Sequence, residues 1–423
     1  MLRRVVEELQ QQAGPCASEL NIGQALPYQY ALMDIAEGLS ECNPLPRHDV
    51  FKAISLCLKN SERIQRVPQD DEPVSQLVNH AVGFLNHSNK PSHGDPRSVD
   101  EALHVLRCLV VDFSALLTNQ DLICVAAFVD SQDAWTTQRA ESNARNVLEH
   151  VMRNGAKHVF ITSTVLEDFI RPIFSRTISG RITSSGRKAH YIGSSQDHAA
   201  QDSLLSTGDT KPWKTDQIHA ITIFAWAVEQ SNEVLISKNW PLFTPVLLAL
   251  MDDTDVRFKA RGLVILRNFL TKCPASVLND TGLGEIFEQS VFPSLLSLPT
   301  LTPEDESLLL LDPAYNAVIQ LANAQFPDEQ NRPQKTRLLG RLLREGIFSG
   351  YWHASEYVRV VELLARQTTP IVRQLGAFTI PHLKELLSMF AAIMTDPFLA
   401  SCPTCIQAAA QALSSILLNL SAG

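Results

Sequence analysis

Apolar positions along this chain recur at spacings of three and four, the period of helices that bury one side. The pattern is clearest over residues 240–270. Val246, Leu247, Leu250 and Met251 form one apolar stripe. Thr244 is placed to cap that helix, with Pro245 at its first position, where a missing N–H costs nothing. Asp252-Asp253-Thr254-Asp255 then turns the chain. A second stripe follows in Val256, Ala260, Leu263, Val264 and Leu270, and ends near Lys272-Cys273-Pro274. The spacing predicts one antiparallel helix pair.

Similar stripes fill residues 1–174. They include Leu32, Ile35, Ala36 and Leu39, then Val50, Phe51, Ile54 and Leu58, then Leu77, Val78, Ala81 and Leu85. A long helix is predicted over 99–117, with Leu103, Leu106, Val110, Phe113 and Leu117 in register. Helices over 121–129, 139–152 and 163–174 follow. Strand signals are sparse. The best short β-like run is 158–162, read as a helix start or an extended linker.

Residues 175–211 change character. Ser, Thr and Gly dominate, and no apolar period offsets the entropy of ordering such a segment. It reads as a mobile linker, with a modest positive cluster in Arg176, Arg181, Arg187 and Lys188. A C-terminal lobe is expected over 212–423. It opens with a helix over 218–230, followed by the pair over 240–270. A helix over 283–292 is next. Asp312-Pro313 repeats the cap-and-proline signature, and helices are predicted over 337–345 and 355–365, with a short one starting at Thr369-Pro370. The last pair has Leu383, Leu386, Leu387, Phe390 and Met394 before Thr395-Asp396-Pro397. Ile406, Ala409, Ala410, Leu413, Leu417 and Leu420 come after it. The unit of helix, short acidic or proline turn, helix recurs at intervals of roughly 40 residues, the range of HEAT and armadillo arrays. The predicted fold is all-α, an α-solenoid of degenerate helix pairs, each burying the apolar face its neighbour cannot bury alone.

Composition narrows the partners. At 423 residues the chain exceeds one ordinary compact core, and 45% apolar residues supply enough to bury. A net charge of −9 argues against non-specific nucleic-acid binding and against an anionic membrane surface. The eight cysteines are scattered among apolar residues rather than spaced as a disulfide framework. Neither a signal peptide nor an apolar run of roughly 20 residues is visible, so the chain reads as cytosolic or nuclear.

Candidate chemistry is thin. Cys402 and Cys405 form a CxxC, which suits a redox pair or half of a zinc site. Zinc needs four ligands and a redox pair wants a βαβ setting, and neither accompanies it; buried structural thiols are the favoured reading. The run 183–188 lacks the spacing of a phosphate-binding loop. His80, His87 and His93 are irregularly spaced and read as solvated loop histidines. Asp252, Asp253 and Asp255 suggest a carboxylate cluster for Mg²⁺ or acid–base work. The structural alternative has them accept bonds from the first N–H groups of the next helix, with Arg257 lying against Asp253 or an acid of a neighbouring repeat. Trp213, Trp226, Trp240 and Trp352 stand at lobe edges, where aromatic side chains serve as core caps or as interface anchors. The stretch Lys211-Pro212-Trp213-Lys214 is the candidate partner-binding element, with Lys211, Trp213 and Lys214 as its contacts.

These residues carry a resemblance. Lys211-Pro212-Trp213-Lys214, Asn239-Trp240-Pro241-Leu242, the run 245–253 and Gly262-Leu263 occur in an order similar to that of the Tel-two-interacting protein two family. Thr281-Gly282-Leu283, Phe287, the run 295–299 and 310–315 continue it. This family supplies the smallest subunit of the Triple-T co-chaperone complex. The match is good over about 211–325, loose beyond, and slight before. It implies an α-solenoid without enzymatic activity, cofactor or metal. It also implies assembly with the two other Triple-T subunits, in support of phosphatidylinositol-3-kinase-related kinases such as TOR and the DNA-damage checkpoint kinases. The Hsp-ninety chaperone and its R-two-T-P adaptor act alongside. The family offers no catalytic residues to carry over. Two readings from other classes remain: a different HEAT-type adaptor in transport or chromatin, and an enzyme using Cys402 and Cys405 or the Asp252–Asp255 cluster.

Overall fold

A computed structural model describes residues 1–11, 26–42, 45–67, 70–89, 95–153, 157–175, 211–299, 301–398 and 402–421. The described chain is an all-α helical-repeat solenoid. Its sole strand pairing, among the described residues, is a parallel two-residue bridge of Tyr30–Ala31 with Ile64–Gln65. Residues 158–162, the best strand signal in the sequence, are helical. They lead into Phe160–Ile170, which adopts the wider π-helical turn.

The chain divides into two compact units. The first comprises Met1–Ile173 and Thr210–Ala227, and the second continues from Val228. Residues 211–227, expected with the C-terminal lobe, thus pack with the N-terminal unit. Ring contacts tie them there: Phe160 meets Trp226 edge-on at 6.4 Å, and Phe169 stacks on His219 at 6.0 Å. Thr222 donates to the buried Asp133 carboxylate. The expected linker lies, apart from its end residues, outside the described residues, as do Arg176, Arg181, Arg187 and Lys188.

In the first unit, helices stack in two layers. Leu2–Gln11, Arg47–Lys59, Pro96–Asp112 and Gln138–Met152 pack in succession, and Leu32–Glu41, Asp71–Ser88 and Asn119–Ala126 form the other row. Short polar side chains cap three of these helices, Pro96–Asp112, Asn119–Ala126 and Gln138–Met152. Asp95 accepts from Arg97 and Ser98 with Pro96 at the first position. Thr118 and Asp121 make a reciprocal capping box. The helix predicted over 99–117 stops at Asp112, and Ser114 adopts a left-handed φ of 55°. His80 and His87, expected in a loop, lie on Asp71–Ser88, where His80 packs on Phe51 at 5.4 Å.

The second unit repeats the scheme. Val256–Leu270, Glu304–Gln325, Val358–Leu375 and Pro403–Ser421 pack in succession. A charge ladder sets the register of the middle two. Arg359 meets Asp305 at 2.7 Å, and Arg366 meets Asp312 at 2.9 Å. Both pairs are offset by seven residues along their helices, two turns apart. Tyr315, in the middle of Glu304–Gln325, is fully buried, and its hydroxyl has no hydrogen-bond partner among the described residues. Its ring lies where Gly346 leaves room: a Cβ there would be 2.9 Å from Tyr315 Cε1. Gly346 lies in the π-helical segment Leu342–Phe348.

Three proline signatures mark something other than helix starts. Thr244 is not a cap. Helix Glu233–Met251 is capped by Asn232 and breaks at Asn239, whose φ of −121° and ψ of 17° are non-helical. Pro241 follows that break, Pro245 lies inside the helix, and Thr244 Oγ1 donates within the helix to Trp240 O at 3.0 Å. Asp312 and Pro313 lie inside Glu304–Gln325, and Thr369 and Pro370 inside Val358–Leu375. At Asp312 the carboxylate is held by Asn316, Arg366 and Gln367 instead of capping. By length and composition Glu233–Met251 is apolar enough to cross a membrane, which the sequence reading did not register. Its residues from Val246 to Met251 are buried, and it packs on Val256–Leu270 and Leu283–Val291.

Candidate functional site

The stretch singled out for partner contact forms a 3-10 turn, Pro212–Lys214. Trp213 has no exposed surface. The Lys211 and Lys214 ammonium groups lie 5.2 and 5.5 Å from its ring centre, within cation–π range. The indole is therefore a core residue of the first unit and is out of a partner's reach. This corrects the expectation for Trp213, and leaves Lys211 and Lys214, both half-buried, as the parts of the turn at the surface.

The acidic turn is built as a helix start. Asp255 caps Val256–Leu270, accepting from Arg257 N at 2.9 Å. Arg257 folds back on the same carboxylate with Nε at 3.2 Å and Nη2 at 2.9 Å. It thus pairs with Asp255, not with Asp253 or a neighbouring repeat. Asp253 is buried, and its Oδ1 accepts from Asp255 N at 2.8 Å. Asp252 closes the preceding helix, donating its N–H to Leu248 O. The cluster's bonds are those of a turn joining two helices that approach closely. A Cβ on Gly262 would be 2.7 Å from Leu250 Cβ.

The cysteine pair is not disulfide-linked. Burial pushes the Cys405 thiol up to about 11, with Cys402 and Glu362 adding to the shift. A redox nucleophile needs the opposite shift. Cys402 Sγ lies 4.0 Å from Glu362 Oε2. Burial likewise raises Cys57, Cys124 and Cys273, each to about 12, as small apolar core residues. Among the described residues no group of three or more His, Cys, Asp or Glu is placed to hold a metal ion.

The arrangement is thus a stack of helix pairs whose polar residues cap and register helices. Comparison with known families decides what kind of stack it is. The model of the Tti2 family matches residues 122–401. The chain belongs to the Tti2 family. The match begins well inside the first unit, earlier than the region 211–325 in which the resemblance is legible by eye. No curated protein matches the chain. Among solved structures, the crystal structure of an engineered protein is similar at 14% identity over 90% of this chain and 98% of that chain. Its TM-score of 0.29 is too low to bear on the fold.

Within the part matched by the Tti2 family, the structure exposes residues that the sequence pattern placed in the core. Leu387 and Met394 were assigned to the buried stripe of their helix, yet they are 44% and 43% exposed. Leu386, Met389, Phe390 and Ile393 form the buried face instead. Val264 is likewise exposed, as is Leu417 beyond the matched part. Trp226 is buried, Trp240 half-buried and Trp352 largely exposed. The signal for Leu387 and Met394 was present: a helix with apolar residues on two sides has one side too many for a single packing neighbour.

Proposed function

We propose that this chain is a non-enzymatic scaffold subunit of the Triple-T co-chaperone complex. The single observation that carries the reading is the Tti2 family match over residues 122–401, on a chain folded as stacked helix pairs. Membership of that family supports a Triple-T subunit role and complex formation with the other components. Our finer reading is that the assembly supports folding and stability of phosphatidylinositol-3-kinase-related kinases, including TOR and the DNA-damage checkpoint kinases. Hsp-ninety is engaged indirectly, in cytoplasm and nucleus. The mechanism is binding: a helical surface covers and stabilises a longer helical partner. The raised Cys405 thiol and the capping geometry of Asp255 fit a chain without its own chemistry.

Purification of the tagged chain from cells, with mass spectrometry of what accompanies it, tests the reading. The expected companions are two large helical-repeat proteins and members of the kinase family. Recovery of the chain alone, or with transport receptors or histones, defeats it. The double variant Cys402→Ser/Cys405→Ser should recover the same partners and sustain kinase levels. Loss of those levels with unchanged stability would instead assign chemistry to the pair.

A further inference from the structure

In the second unit, one face combines uncovered apolar residues with an excess of positive charge. Ile380, Leu387 and Met394 are 58%, 44% and 43% exposed. Leu387 and Met394, seven residues apart, lie on one side of helix Leu383–Thr395, and Ile380 is exposed on the 3-10 turn Gly376–His382 that leads into it. The adjoining side, with Leu386, Met389, Phe390 and Ile393, is already buried in a unit that packs this helix on Pro403–Ser421. Apolar residues at i and i+7 are anchors of the kind by which one helix packs along another. Leu383–Thr395 spans 13 residues, about 20 Å at the helical rise, enough for roughly four turns of a partner.

Charge says what kind of helix. The chain carries a net −9, yet residues 332–345 hold five cations and one carboxylate. That segment borders the seam. The Arg332 guanidinium lies 5.6 Å over the ring of Phe378, itself 45% exposed. Arg344 and His382 converge over Gly340, where an added Cβ would be 3.5 Å from Arg344 Nη1 and 3.2 Å from His382 Nε2. Lys384 follows in the first turn of the seam helix, beside Glu385, so among the described residues the rim holds two cations to one unpaired carboxylate. Arg332 is paired with Glu329, whereas Arg344 and Lys384 are exposed and have no ion pair among the described residues. A second copy of this chain would bring the same cations to the same seam. The complementary occupant is anionic along its flank.

We propose that the seam of Ile380, Leu387 and Met394, rimmed by Arg344 and Lys384, docks an amphipathic helix of a partner protein with aliphatic residues on one face and Glu or Asp beside them. This deepens the scaffold reading and rests on it for the partner's identity. Apolar contact supplies the affinity, and the basic rim selects and orients the helix.

The test uses the full chain and two labelled synthetic helices of about 21 residues, three heptads with Leu at the core positions. One carries Glu at the flanking positions and the other Lys. Fluorescence anisotropy should show the Glu helix binding at least roughly ten-fold more tightly than the Lys helix. Leu387→Asp/Met394→Asp should weaken it by a similar factor, and Arg344→Glu/Lys384→Glu should reverse the charge preference. Circular dichroism melting should be unchanged in both, because all four side chains are at the surface. Equal binding of the two helices overturns the proposal, as does binding that neither variant disturbs. So does a concentration-dependent dimer that Leu387→Asp abolishes, which would make the occupant a second copy. A chain that passes this test but recovers no helical partner from cells defeats the scaffold reading and leaves the surface standing. The converse result defeats the surface alone.

Discussion

Two helix pairs in the second unit look alike in sequence and are used differently. In the pair Glu233–Met251 and Val256–Leu270, the first helix buries Val246, Leu247, Leu250 and Met251 to within 2% exposure. Its acidic turn is consumed in capping. In the pair Leu383–Thr395 and Pro403–Ser421, the same type of stripe is split: Leu386 and Phe390 are fully buried, while Leu387, Met394 and Leu417 face outward. In the first pair only Val234 and Val264, among the described large aliphatic side chains, stay exposed, and the packing helices cover the rest of its stripe. The second is covered on one side. Local pattern therefore specifies the helix, and neighbours decide which apolar residues become core.

The largest effect should separate the two pairs directly. Leu250→Asp puts an unpaired charge where there is no exposed surface, and should cost about 4 kcal/mol or more. Leu387→Asp places the same charge at a position 44% exposed and should shift stability by no more than about 0.5 kcal/mol. Urea denaturation of the two variants side by side measures both. Equal destabilisation would remove the distinction.

The next effect probes how tightly the middle of the stack is built. Gly346→Ala drives a methyl group to 2.9 Å from the Tyr315 ring and should cost about 2 kcal/mol by overpacking. Tyr315→Phe removes a buried hydroxyl that has no partner among the described residues, and should be neutral or stabilising by up to about 1 kcal/mol. Thermal melts check the pair of signs.

At the acidic turn, Asp255→Ala should lose about 1 kcal/mol with the cap. Asp255→Asn keeps a capping oxygen and should lose less, because the pair it gives up, with the highly exposed Arg257, is worth little in water. The milder loss in Asn, read by chemical denaturation with partner recovery unchanged, is the mark of a cap. Abolished function with intact fold and complex would instead make the turn a site.

The smallest effect is pH-dependent. Burial, followed by nearby Arg47 for His80 and Arg107 for His104, holds both histidines below their ordinary value. The unfolded chain therefore takes up these protons first, at about pH 6.5. Stability contributed by the neutral rings is full above that pH and is lost as pH falls toward the depressed folded values. A melt series from pH 7.5 to about 5 should show the decline, and His80→Phe should flatten part of it.

Helix type and core were legible where one apolar stripe coincided with one buried face, as in Val99, Leu103, Leu106 and Val110. Proline positions misled because the rule for a helix start is local, whereas Pro313 and Pro370 sit in helices fixed by their neighbours. Asn239 shows the same limit, since the break there precedes Pro241 while Pro245 is carried inside the same helix. The segment 210–227 joins the first unit through long-range ring contacts that no spacing reveals. At Trp213 the sequence leaves core and interface open, because indole suits both equally, and only the fold shows it buried. The basic edge over 332–345 was visible in the sequence, but its adjacency to Ile380 and Leu387 is a product of the fold.

The central proposal is that helical partners dock on the seam of Ile380, Leu387 and Met394, while the interior only holds the stack together. Affinity purification of tagged Leu387→Asp/Met394→Asp from cells, beside the wild type and with melting temperatures in hand, tests it most directly. The account predicts an unchanged melt with the helical-repeat partners lost. Full partner recovery by that variant, with the melt unchanged, would contradict it.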